Sequence, residues 1–256
     1  IVLLSILLLL MVGFRYAYVR FPLITGYAAK DVCSCVFIGD QDQKNVANNE
    51  LQFSLIKYAS FEVDKKSKSV TATVLGMGSK TAYFTPQNGC VILNDTERKN
   101  WKHYKRKGYK VREVPLVDLT SEYVKNKKLQ EAISKHFKDS DPEKPFGTRA
   151  VVVLKDGKLI AEHYAKGFDK NSKQIGWSMT KSVFNALIGI AIKQEKLEGL
   201  NQTNLFPEWK DKRKNISLKH ILQMNSGLNW DEDYSTISPA TVMLYDQDNM
   251  VDFAVN

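Results

Sequence analysis

At 256 residues, with 43% hydrophobic side chains, the chain has room for one large domain or two small ones and enough apolar matter to bury a core. Lys plus Arg exceed Asp plus Glu by 37 to 28, a net charge of +9. The excess is mostly lysine spread along the chain, a solubilising surface, and no basic run carries the stacking or groove-reading pattern of a nucleic-acid binder. His103, His136, His163 and His220 show no H-x-x-x-H spacing and the cysteines no C-x-x-C spacing, so no metal site is expected.

Residues 1–14 are almost uninterrupted Ile, Val, Leu and Met, followed by an aromatic and basic border of Arg15, Tyr16, Tyr18 and Arg20. Such a segment enters a membrane, although its apolar length is less than a full span. Residues 1–24 are therefore expected to be a signal peptide or membrane anchor. The lack of a small-x-small cleavage site before Pro22 favours the anchor. Lys30, Asp31 and Val32 before Cys33 do not form a lipoprotein box, so no lipidation is expected there. Export to the extracytoplasmic side permits disulfides. Three cysteines cannot all pair internally. A bridge between Cys33 and Cys35 is sterically disfavoured, and either can reach Cys90.

Residues 25–140 read as a small β-containing region. Residues 41–51 are a polar loop. Residues 61–64 and 69–75 alternate apolar and polar around Lys65, Lys66, Ser67 and Lys68, as in a hairpin. Residues 80–85 and 90–93 flank Pro86, Asn88 and Gly89 as a second hairpin. The basic cluster at 99–112, interleaved with Trp101, Tyr104 and Tyr109, reads as a solvated face with its rings turned inward. Residues 119–137 have helical spacing, with Tyr123, Leu129, Ile133 and Phe137 on one face, and Pro142, Pro145 and Gly147 mark a boundary loop.

Residues 141–256 open with a strand at 148–154, a tight turn at Asp156 and Gly157, and a returning strand at 158–164. A polar loop at 169–175 leads to a helix from Ser178 to about residue 196. Phe184, Leu187, Ile188 and Ala191 follow the i, i+3, i+4, i+7 rule, and that face is expected to be core.

The chemistry lies at the start of this helix, where Ser178 is followed three residues later by Lys181. One helical turn brings an amine over a hydroxyl, so the two can share a proton. A chain this rich in lysine and serine carries about two such matches by chance. The second is Ser54 with Lys57, which no long helix follows. A serine in the first helical turn receives the positive end of the helix dipole, and its backbone N–H is suited to an oxyanion. The competing reading is that Ser178 caps the helix and Lys181 is a surface lysine.

Residues 177–182 resemble the serine β-lactamase-related hydrolase family, which includes class C β-lactamases, D-alanyl-D-alanine carboxypeptidases, esterases and 6-aminohexanoate-dimer hydrolases. Three further stretches carry the resemblance: the strand pair at 150–164, residues 196–200 leading to Pro207, Glu208 and Trp209, and residues 220–228 with their Ser226, Gly227, Leu228 ending. Together they cover about residues 145 to 235. The resemblance implies an α/β (α+β) fold of transpeptidase-like architecture, an antiparallel sheet with packed helices, and an enzyme that forms an acyl-enzyme without metal or organic cofactor. Ser178 would be its nucleophile and Lys181 its base.

In the segment 220–228, Ser217 is expected to cap a short helix, Ile221 and Leu222 to face the core and Gly227 to provide the left-handed exit, with no catalytic role for His220. Trp230, Asp231, Glu232, Asp233 and Tyr234 look most like the 6-aminohexanoate-hydrolase and esterase branch, which makes Tyr234 a candidate substrate contact. The family's Tyr-x-Asn or Tyr-Ser-Ser box and its Lys/His-Thr-Gly strand are missing. Asp246 and Gln247 follow Tyr245, and Ser235 and Thr236 follow Tyr234. The chain is thus expected to be a fragment, cut at both ends, with little turnover of its own. Its expected partners are the membrane and a small ester, amide or peptide substrate, with no nucleic acid. The alternatives are a cell-wall D-Ala-D-Ala carboxypeptidase or β-lactamase-like enzyme, and a non-catalytic membrane-tethered binding protein on the same scaffold.

Overall fold

The computed structural model describes residues 2–86, 88–93, 126–138, 146–247 and 249–256. It is a mixed α/β structure with antiparallel sheets and an apolar N-terminal helix. The chain forms two compact units, residues 1–104 with 175–256, and residues 105–174.

In the first unit, leucine-rich α1 (Val2–Tyr18) is followed after two residues by α2 (Phe21–Phe37), which has a proline in its first turn, where the missing N–H costs nothing. The stretch Ser5–Phe37 is long and apolar enough, by length and composition, to cross a membrane. The two helices nonetheless differ. Leu9, Met11 and Val12 of α1 are exposed, whereas Ala28, Ala29, Val32 and Cys33 of α2 have no exposed surface. The 17 residues of α1 span roughly 26 Å at 1.5 Å per residue, a little short of a hydrocarbon core. The expected boundary at residue 24 falls inside α2, whose Phe21 and Ile24 are already buried with Val74.

Helix α2, with the short α3 (Gln43–Asn49) beside it, packs on a four-stranded antiparallel meander. Its strands are β1 (Ala59–Asp64), β2 (Ser69–Val74), β3 (Met77–Thr85) and β4 (Gly89–Ile92), in that order. Both expected hairpins are present. The β1–β2 turn is held by the Asp64 carboxylate, which accepts from the backbone N–H groups of Lys66 and Ser67 at 2.8 and 3.2 Å. A third pairing joins β2 to β3 through Leu75 and Gly76, both left-handed at φ 51° and 73°, which is the twist a two-residue hairpin needs. Val70, Ala72 and Ala82 meet the small residues of α2. Each fully buried valine contributes about 1.5–3 kcal/mol relative to exposure. Cys33 bridges to Cys90, which ties α2 to β4 and settles the choice of cysteine; Cys35 lies outside the bridge and is buried.

The remainder of this unit is loops and the helices α5 (Met179–Lys193), α6 (Leu218–Leu222), α7 (Pro239–Tyr245) and α8 (Met250–Val255), while α4 (Lys127–Lys135) belongs to the second unit. Helix α7 lies against α2 so closely that a side chain at Gly26 would collide with the Tyr245 carbonyl oxygen. Lys80 of β3 pairs with Asp246 at 2.6 Å. The buried Trp209 donates its indole N–H to the Val255 carbonyl at 2.8 Å, which fixes the end of α8.

Two expectations change here. No residue of α5 is buried, and Phe184 and Leu187 are 54% and 55% exposed. Ile188 and Ala191 of the face read as core are half-buried while Phe184 and Leu187 are uncovered, because periodicity tells which residues share a face and not whether a neighbour lies on it. The short helix α6 is capped by Ser217 as expected; Gly227 is left-handed as expected (φ 73°), but the left-handed residue directly at the helix exit is Met224 (φ 56°). Met224 N–H bonds to Ile221 and Asn225 N–H to His220, the paired bonds of a Schellman ending. Leu218 is the buried residue of this turn, while Ile221 and Leu222 are half-buried.

In the second unit, α4 (Lys127–Lys135) is capped by Asn126, whose side chain accepts from Leu129 N–H at 3.1 Å. The hairpin β5 (Ala150–Lys155) and β6 (Lys158–Tyr164) turns through left-handed Asp156 and Gly157. Phe137 meets His163 edge-on, with ring centroids 4.4 Å apart. The segment read as one domain, 141–256, is thus divided between the units. The boundary at 140/141, the basic cluster at 99–112, Tyr123 and the prolines Pro142 and Pro145 lie outside the described residues.

Candidate functional site

Residues 176–178 enter α5 through a tight turn, in which Met179 N–H bonds to Gly176 and Lys181 N–H to Ser178. Trp177 sits in the left-handed region at φ 39°. For a bulky aromatic this costs about 1–3 kcal/mol, and such outliers cluster at functional sites. Ser178 stands at the cap position with helical φ and ψ of −67° and −12°, and its side chain makes no capping bond. The hydroxyl meets Lys181 instead, whose Nζ lies 3.1 Å from Ser178 Oγ. The simple capping reading therefore does not describe this serine.

Glu232 continues the arrangement. Its Oε2 lies 4.0 Å from Lys181 Nζ, its Oε1 accepts from the Trp230 indole at 3.3 Å, and Tyr234 donates its hydroxyl to Oε2 at 3.5 Å. A hydroxyl, an amine, a carboxylate and a phenol thus follow one another. Burial first, then the Glu232 carboxylate, pushes the Tyr234 phenol above its ordinary value. Only Ser178, Lys181 and Tyr234 stood out in the sequence. The signal for Glu232 was the acidic stretch Asp231, Glu232, Asp233, which gave no hint of which carboxylate returns to Lys181.

Ser178 and Tyr234 both line a cavity of about 660 Å³. Helix α2 contributes Leu23, Ile24 and Tyr27, residues 53–56 form another wall, and α7 closes it with Thr241 and Tyr245. Burial and then the Asp31 carboxylate raise the Tyr245 phenol far above its usual range, so it remains a neutral hydroxyl. Ser54 also lines the cavity and is left-handed at φ 46°. Its lysine does not serve it, because Lys57 Nζ lies over the Tyr58 ring, 5.4 Å from the centroid. Both S-x-x-K serines therefore reach one cavity, and only Ser178 has its lysine in hydrogen-bond range.

His220 accepts the Ser217 backbone N–H through Nδ1 at 3.2 Å, a structural role. Among the described residues, no group of three or more His, Cys, Asp or Glu side chains is placed to hold a metal ion. The chain matches no family model, no curated protein and no solved structure. The resemblance noted above rests on its own residues alone.

Proposed function

We propose that this chain carries the nucleophile and base of a serine hydrolase that works through an acyl-enzyme on an ester or amide. The observation that supports this reading is the 3.1 Å contact between Ser178 Oγ and Lys181 Nζ, made by a serine that lines a cavity able to hold a small molecule. In the proposed reaction Lys181 takes the hydroxyl proton as Ser178 Oγ attacks the carbonyl carbon. The alcohol or amine leaves with that proton, and water then releases the acid. Ser178 N–H, at the positive end of α5, is the proposed oxyanion donor, and Glu232 holds the lysine in place. The active unit is proposed to lie on the extracytoplasmic side of a membrane entered by α1, a reading supported by the Cys33–Cys90 bridge, since disulfides persist in oxidising compartments.

A second reading, a membrane-tethered binding protein on the same scaffold, is favoured by one observation. The Lys181 side chain is 57% exposed and shares an ion pair with Glu232. Labelling of the protein with fluorophosphonate and penicillin probes separates the readings. The expected result is an adduct on Ser178 that disappears in Ser178→Ala. A penicilloyl adduct would assign the carboxypeptidase or β-lactamase branch, and an intact protein that takes neither probe would leave the binding protein.

A further inference from the structure

The cavity beside Ser178 is walled mainly by hydrocarbon and aromatic rings. Its lining includes Leu23, Ile24, Ile56 and Ile237, and Arg20 is the one charged side chain in it among the described residues.

The cavity also begins where α1 ends. Tyr16 and Arg20 line it, and the turns of α1 that precede them present Leu9, Met11 and Val12 to the surroundings. The Arg20 guanidinium lies 3.4 Å above the Tyr16 ring, and its Nη1 donates to the Tyr16 carbonyl at 2.7 Å. An aromatic ring paired with a cation at the end of an apolar helix is the pattern that settles at headgroup level. If α1 enters a membrane as its composition suggests, the cavity lies at the bilayer surface, with Ser178 among its lining residues.

We propose that this cavity holds the hydrocarbon chain of an ester amphiphile that reaches Ser178 from the bilayer surface. The inference rests on the serine-hydrolase reading and names its substrate class. Ser178 Oγ bonds to the ester carbonyl carbon, the ester C–O bond breaks, and the alcohol leaves with the proton that Lys181 took. Water then cleaves the acyl-enzyme and frees the chain as a carboxylic acid. Ser54, Ser235 and Thr236 also line the cavity and offer hydroxyls for the polar end of the ester.

The test compares two alkyl fluorophosphonates, ethyl and decyl, on the complete protein in phosphatidylcholine vesicles, reading the rate of adduct formation on Ser178. The decyl probe is expected to react at least about tenfold faster, the effect of burying roughly two methylenes. Ile237→Trp, which fills the cavity, is expected to bring the decyl-to-ethyl ratio toward one. Equal rates for the two probes would overturn the substrate class and leave the hydrolase reading standing. A ratio untouched by Ile237→Trp would also overturn it, by assigning the preference to partition into the bilayer. Failure of both probes to label Ser178 would remove the hydrolase reading and this inference together.

Discussion

Two helices of the first unit meet their surroundings in opposite ways. Helix α2 buries small residues against a sheet and is bridged to it, whereas α5 carries the candidate nucleophile and buries no residue. The difference shows that the candidate chemistry is framed locally, by the Trp177 turn and the i, i+3 spacing of Ser178 and Lys181, while the cavity depends on the α2 layer. Damage to α2 should therefore appear as lost stability, and damage at the start of α5 as lost reactivity.

The largest stability effect expected is for Cys90→Ala, which opens a loop of 57 residues and should cost about 2–4 kcal/mol in denaturant unfolding. A change near zero would mean that the core of α2 holds the sheet without the bridge. Next is Glu232→Gln, which keeps the shape but removes the charge facing Lys181. Fluorophosphonate labelling of Ser178 should slow about tenfold, equivalent to 1.4 kcal/mol, with unfolding unchanged. An unaltered labelling rate would reduce Glu232 to a surface partner.

Phe184→Ser removes an exposed ring from α5 and should shift stability by less than about 0.5 kcal/mol. A loss of several kcal/mol would show that this face is covered in solution. The smallest effect concerns Asp64, whose carboxyl is held below its ordinary 3.8 foremost by the Ser67 hydroxyl. Its contribution is complete above that ordinary value and is lost as pH falls through the lowered one. Asp64→Ala should therefore be slightly less stable at neutral pH and indistinguishable from the parent in strong acid, as read from paired thermal melts.

The hairpins were legible because period-two alternation and turn residues act locally, and Asp156 and Gly157 adopt the left-handed turn their identities favour. The cysteine pairing was not legible. Cys33 and Cys35 stand roughly 200° apart around α2, and which one meets β4 depends on how the whole helix lies on the sheet. The positions of Ser178 and Lys181 were readable for the same local reason as the hairpins. Glu232 was hidden because its approach to Lys181 is made by a loop that returns from more than fifty residues away in sequence. Met224 displaced Gly227 at the helix exit because α6 stops one turn earlier than the glycine suggests.

Helix α2 has two working sides, since Ala29 and Val32 belong to the sheet's core while Leu23 and Tyr27 wall the cavity. The carbonyl of Tyr245 rests on Gly26 between them. Scaffold and cavity consequently share one cooperative unit. Amide protons of α2 should exchange only through opening of the whole layer, and heat should empty the cavity and melt the sheet in a single transition.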